Sequence, residues 1–345
     1  MRAQLIAIIA AVLAVIGSIT AVVTQDTTTP KVSPTAQSQF PTTMRVGVWD
    51  WIQPDHTTSE QDNTEAATLK QQGVTEVYVD ISAYNDYDEL TTADRQTKIA
   101  GFNHALATEV AALHSQGISA QALVGNKHWS DPDAVYIPLK LLNYAHDYNA
   151  SVSPGEQLSG IQFDIEFYND KEVYADNHMQ STQDYLSMVQ QLTTLRTHLF
   201  GNSNFALGFA VPEVFSGRDT SFVPDVAFNG STAQPPLVHI AALLKSVPDS
   251  YIALMAYRNH ATGDDGTIAL AAASLHEIQD TGEGKVSVLI GEETTEQTPA
   301  KITYFGSDKA TLRTAVAQIQ QAYQDSTVFK GVAIDDQLGF LRLKD

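Results

Sequence analysis

From Met44 onward, short apolar runs alternate with longer amphipathic segments, and this repetition limits the fold more than any other property of the chain. Runs at 45–51, 76–82, 119–125, 160–168, 205–211, 251–257, 285–291 and 331–335 read as strands. Segments at 60–72, 93–116, 133–148, 181–199, 237–245, 266–280 and 309–324 read as helices. Gly73 and Gly117 close two of them, and Ser130-Asp131-Pro132 opens a third. After the last strand only 338–343 remains. The count of eight strands predicts an α/β fold, a single (β/α)8 TIM barrel. A doubly wound open sheet is disfavoured, because no glycine-rich phosphate loop follows strand one.

The barrel is preceded by an uncharged, mostly apolar run at 5–23 and a Thr/Pro/Ser/Gln segment. The expected organisation is a signal peptide or membrane anchor at 1–23, a flexible polar linker at 24–43, and a barrel domain at 44–345. That places the folded part outside the cytoplasm, secreted or held on the outer face of the cytoplasmic membrane, as a monomer. The chain has 40 acidic and 20 basic residues, a net charge of −20, which argues against nucleic acid or an anionic membrane surface as partner. It has no cysteine, which excludes disulfides and thiolate chemistry.

Strand four alternates strictly. Ile161, Phe163, Ile165 and Phe167 occupy one face and Gln162, Asp164, Glu166 and Tyr168 the other. Acids on an otherwise buried strand cost several kcal/mol unless they are paired, hydrated or used. Asp164 and Glu166 are therefore expected at an active site; the alternative is an edge strand with one solvated face.

In such barrels the chemistry sits at the carboxyl ends of the strands. Those ends carry Trp49-Asp50-Trp51, Asp80, Trp129, Glu213, Met255-Ala256-Tyr257-Arg258, Glu292-Glu293-Thr294 and Asp335-Asp336. All three tryptophans fall there, where rings beside carboxylates suit sugars. Strand parity turns Tyr257, Glu293 and Asp335 inward, and Glu292 and Asp336 outward as surface charges. Glu166 as proton donor, Glu293 as nucleophile or base, Asp164 beside the donor and Tyr257 on the substrate or a carboxylate form the expected catalytic set. Trp49, Asp50, Trp51, Asp80, Trp129, Tyr168, Arg258 and Asp335 are the expected substrate-binding residues. No cofactor and no metal are expected, and the partner is a carbohydrate.

The run Ser159-Gly160-Ile161-Gln162-Phe163-Asp164-Ile165-Glu166 resembles the strand-four signature of chitinase-like glycoside hydrolases, and Met255-Ala256-Tyr257 resembles their strand-six Met-x-Tyr. The Asp-x-Glu-x-Tyr and Glu-Thr motifs also resemble those of exported bacterial barrel proteins of that superfamily. The resemblance implies glycoside hydrolysis with Glu166 as the acid, supported by Asp164 and Tyr257. Ser159, Gln162 and Arg258 depart from the pattern, so a substrate-assisted and a direct two-carboxylate mechanism both stay open. A catalytically silent sugar-binding barrel is the alternative, with Arg258 holding Glu166 ionised. A metal-dependent hydrolase using Asp80, His128, Asp164 or Asp335 is disfavoured by the scattering of the ten histidines.

Overall fold

The computed structural model of the protein describes residues 39–41 and 43–345, without the side chains of 171–173 and 175. Eight parallel strands close into one barrel in sequence order, with the last paired back onto the first. They are β1 Arg45–Asp50, β2 Glu76–Asp80, β3 Ser119–Val124, β4 Gly160–Phe163, β5 Ala206–Pro212, β6 Tyr251–Met255, β7 Ser287–Glu293 and β8 Phe329–Asp335. A helix follows each: α1 Ser59–Gln72, α2 Thr92–Ser115, α3 Tyr136–Ser151, α4 Lys171–Phe200, α5 Pro236–Leu244, α6 Thr267–Thr281, α7 Lys309–Ala322 and α8 Gln337–Arg342. The protein is a single (β/α)8 barrel.

The alternation of each strand sorts its side chains into two cores. Val46, Val48, Val77, Val79, Ile161, Phe163, Ile252, Leu254, Val288 and Ile290 pack outward against the helices. Trp49, Tyr78, Leu123, Tyr251 and Leu289 fill the interior among small alanines. Local signals set the helix ends. Thr58 and Gln61 form a capping box at the start of α1, and Gly73, at φ 89°, ends it in the left-handed conformation.

The amino-terminal end of the barrel is filled by a polar network. Glu76 accepts from Arg45 Nη2 at 2.5 Å, Tyr78 Oη at 2.7 Å and Gln121 Nε2 at 2.5 Å, while Tyr251 Oη donates to Gln121 Oε1 at 2.9 Å. With both oxygens of Glu76 engaged by three donors, this buried acid supports the fold.

The expected signal or anchor at 1–23 lies outside the described residues, as does most of the linker at 24–43. No helix among the described residues is long and apolar enough to cross a membrane. The folded body begins ahead of Met44. Phe40 is buried, its N–H donates to the Gln72 carbonyl at 3.1 Å, and its ring lies 5.6 Å from that of Phe340.

Several boundaries differ from expectation in ways that matter at the site. β4 stops at Phe163 instead of running to 168. Asp164 N–H still bonds the Val124 carbonyl at 2.8 Å, but Glu166 sits at φ −92°, ψ 61°, and Phe167–Asn169 forms a single 3-10 turn. β6 ends at Met255, and β7 runs to Glu293 instead of 291, so Glu293 is held by the sheet. α4 starts at Lys171, well before 181; a non-helical Asn177 at φ −139°, ψ 34° interrupts the periodicity that the sequence reading relied on.

Candidate active site

The turn after β4 organises the first half of the site. Because the chain curls at Phe167–Asn169, Tyr168 and Asn169 come back onto the residue just before the turn. Tyr168 Oη donates to Glu166 Oε1 at 2.5 Å, and Asn169 Nδ2 donates to Glu166 Oε2 at 2.9 Å. Phe167 anchors the turn, its ring stacked on Tyr185 at 4.9 Å. Burial raises the Glu166 pKa above the ordinary glutamate value, partly opposed by these two hydrogen bonds. Burial, then Glu166 and Asp335, push Asp164 well above the usual carboxylate range, and its Oδ1 is buried without a hydrogen-bond partner.

β7 and β8 supply the second half. Glu293 and Asp335 are Cα partners across the ladder, so their side chains stand side by side on the inner face. Thr295 cradles Glu293 Oε1 through its N–H at 2.5 Å and its hydroxyl at 2.8 Å, while Gln297 Nε2 reaches Oε2 at 3.2 Å. Trp51 Nε1 donates to Asp335 Oδ1 at 3.0 Å. Glu293 is pushed well above the glutamate range by burial and then by Asp335. Asp335 is pushed up to about 7, by burial first and then by Asp336.

Tyr257 joins the halves. Burial raises its hydroxyl pKa, and Asp335, Glu293, Asp164 and Glu166 raise it further, which places all four carboxyls around one phenol. Two glycines make the space. A methyl group at Gly291 would come within 2.9 Å of the Tyr257 ring, and one at Gly125 within 2.6 Å of the Asp164 carbonyl and 3.1 Å of the Trp51 ring. Asp164, Glu166, Trp51, Tyr257 and Asp335 are half-buried and so meet solvent at the mouth. The donors to these carboxyls are all neutral: tyrosine, asparagine, threonine, glutamine and tryptophan.

The structure thus brings together Asp164, Glu166, Tyr257, Glu293, Trp51 and Asp335, with Tyr168 as the clamp on Glu166. Other expected binding residues are placed elsewhere. Trp49 is 2% exposed inside the barrel, its Nε1 hydrogen-bonded to Gln162 Oε1, and Trp129 is 6% exposed in the layer between sheet and helices. Neither has a ring face open to a sugar. Asp50 points outward and accepts from Ile52 N–H at 2.9 Å and Gln337 Nε2 at 2.7 Å. Asp80 is buried and accepts from Gln53 Nε2 and Ser82 N–H, each at 2.8 Å.

Arg258 also points away from the mouth. Its Nε and Nη2 donate to Asp265 at 3.0 and 2.8 Å, and its charge partly opposes the burial that raises the Glu213 pKa instead of acting on Glu166. The idea that it holds Glu166 ionised is therefore corrected. Glu292, expected as a surface charge, is fully buried beside Thr267 and Tyr304, and Asp336 caps α8 through Gly339 N–H at 2.6 Å. Asn169, Thr295 and Gln297 were missed by the sequence reading. Their signal was proximity, within four residues of an inward acid. Among the described residues no group of three or more His, Asp or Glu side chains is arranged to hold a metal ion.

No family model matches the sequence, and no curated protein matches it. Solved structures do match. A GH18 chitinase from Pseudoalteromonas aurantia aligns with a TM-score of 0.48 and 11% identity over 85% of this chain and 93% of that one. A GH18 chitinase mutant from Cycas revoluta aligns with a TM-score of 0.47 and 10% identity over 86% and 95%. A β-galactosidase from the psychrophilic Marinomonas ef1 aligns with a TM-score of 0.51 and 10% identity over 84% of this chain, which spans 54% of that protein. At such identities the likeness is one of fold: the chain shares its (β/α)8 barrel with glycoside hydrolases.

Proposed function

We propose that the protein is an exported glycoside hydrolase, acting as a monomer outside the cytoplasm on a cell-surface or extracellular polysaccharide. The observation that carries this reading is the presence, at the carboxyl ends of β4, β7 and β8, of a clamped Glu166 and of the paired acids Glu293 and Asp335. Cleaving a glycosidic bond requires one carboxyl to protonate the leaving oxygen and a second group to meet the developing positive charge. Glu166 suits the first role. It is held in one orientation by Tyr168 and Asn169, meets solvent, and keeps its proton at a pH where an exposed glutamate has lost it. Glu293 and Asp335 suit the second, and Trp51 offers the half-open ring.

The motif resemblance and the chitinase neighbours make β-linked N-acetylglucosamine oligomers the first substrates to assay, followed by galactosides. Glu166→Gln keeps the shape and removes the proton. On the substrate that wild type cleaves, it should lower kcat by about 10²–10⁴-fold while the circular dichroism spectrum stays the same. Undiminished turnover by the folded variant would overturn the reading. Sugar binding without turnover in wild type would establish the catalytically silent barrel instead.

A further inference from the structure

We propose that Glu293 and Asp335 work as one carboxyl dyad sharing a proton, with Asp335 the positioning residue that decides when Glu293 can release its own. The two acids are Cα partners at the ends of β7 and β8, and Thr294 N–H ties those ends together through the Asp335 carbonyl at 2.5 Å. Neighbouring strands run about 4.8 Å apart and partners in register share a face, so the two carboxyls are immediate neighbours on the inner face. Two ionised carboxylates so placed repel each other, so one member of the pair keeps its proton after the other has lost its own.

The groups facing the dyad leave it no other way to settle its charge. Asp336, Glu166, Asp164 and Tyr257 act on it as acids or as a neutral phenol, while Trp51 donates to Asp335 and Thr295 and Gln297 donate to Glu293, none of them bringing charge. Like charges side by side ionise in two separated steps that belong to the pair. Burial and then Asp335 push Glu293 further up than Asp335 is pushed, so Asp335 ionises first and Glu293 holds the hydrogen of the pair. If the glycosidase reading holds, the acid at the end of β7 carries a proton at rest and acts as a base only after passing that proton to Asp335. This consequence rests on that reading; the dyad does not.

The test is a titration followed by NMR of the intact protein carrying carbon-13 at its Asp and Glu carboxyl carbons. In wild type the Glu293 and Asp335 signals should each show two inflections, at the same two pH values. In Asp335→Asn, Glu293 should show a single inflection, below the higher of the two wild-type inflections by about one unit or more, the size at which neighbouring sites titrate as a pair. Glu293→Gln is the reciprocal variant and should leave Asp335 with a single inflection; it serves if Asp335→Asn does not fold. Independent single inflections in wild type, or a Glu293 midpoint unmoved by Asp335→Asn, would overturn the dyad.

Turnover separates the two proposals. The acid limb of kcat/KM should follow the lower of the two shared inflections in wild type and the single Glu293 inflection in Asp335→Asn. Shared inflections in a protein that hydrolyses no glycan keep the dyad and overturn the glycosidase. Hydrolysis with independent inflections does the reverse.

Discussion

Trp51 touches the site twice: its indole N–H holds Asp335 at 3.0 Å, and its ring passes close over Gly125 beside Asp164. Trp51→Phe keeps much of the ring and removes the donor. The Asp335 pKa, about 7 in the native protein, should then rise, because the hydrogen bond favouring its ionised form is gone. A carboxyl signal that stays in place after this substitution would count against the contact. Arg258→Met makes the opposite prediction. Arg258 pairs with Asp265, so its loss should leave the Glu166 titration unmoved while lowering stability by about 1 kcal/mol in urea unfolding, since Asp265 is half-exposed and screened. Strand parity made the shared face of Glu293 and Asp335 legible in the sequence, whereas Glu166 and Tyr257, which lie beyond the ends of β4 and β6, were singled out by residue type alone. Parity and residue type could not separate Trp51, which is half-open, from Trp49 and Trp129, whose rings are closed over by neighbours far along the chain.

At the scale of the element, two strand ends decide the chemistry. β4 stops early, and its departure into the Phe167–Asn169 turn folds Tyr168 and Asn169 back onto Glu166. A strand continued to that point would instead have turned Asn169 to the face opposite Glu166, away from that clamp. Strict alternation continues through 168 in the sequence, so periodicity gave no sign of the break. On β7 the sequence did carry the signal: Gly291 lies two residues before Glu293, where any side chain would meet the Tyr257 ring. Gly291→Ala should cost about 1–3 kcal/mol by overpacking and should cut turnover through the displaced phenol. Urea unfolding and kinetics on the same preparation check both, and an alanine variant with native stability and rate would show that the ring has room to move.

For the whole molecule the notable quantity is the load of buried acid. Asp164, Glu292 and Glu293 are held well above the ordinary carboxylate range by burial, and Asp50 and Asp335 are pushed up to about 7. In each case the folded pKa exceeds the unfolded value of about 4, so the folded state binds the extra protons. Their contribution to stability is complete below the unfolded value and is lost as pH rises through the folded one. The urea midpoint should therefore be highest in mild acid and fall through neutrality into the alkaline range. Glu292→Gln, which keeps the shape without the ionisation, should make that fall shallower above the unfolded glutamate pKa; an unchanged slope would mean that Glu292 is not held neutral. The sequence by itself determined the barrel, because hydrophobic alternation and helix caps are local and repeat eight times, and it determined that Glu293 and Asp335 share a face, because parity is a property of a strand. Only the tertiary structure decided which rings are open, where Arg258 points, that Glu292 is buried, and that Glu293 and Asp335 meet. Those outcomes depend on ladder register and on packing between segments distant in the chain, which no local pattern encodes.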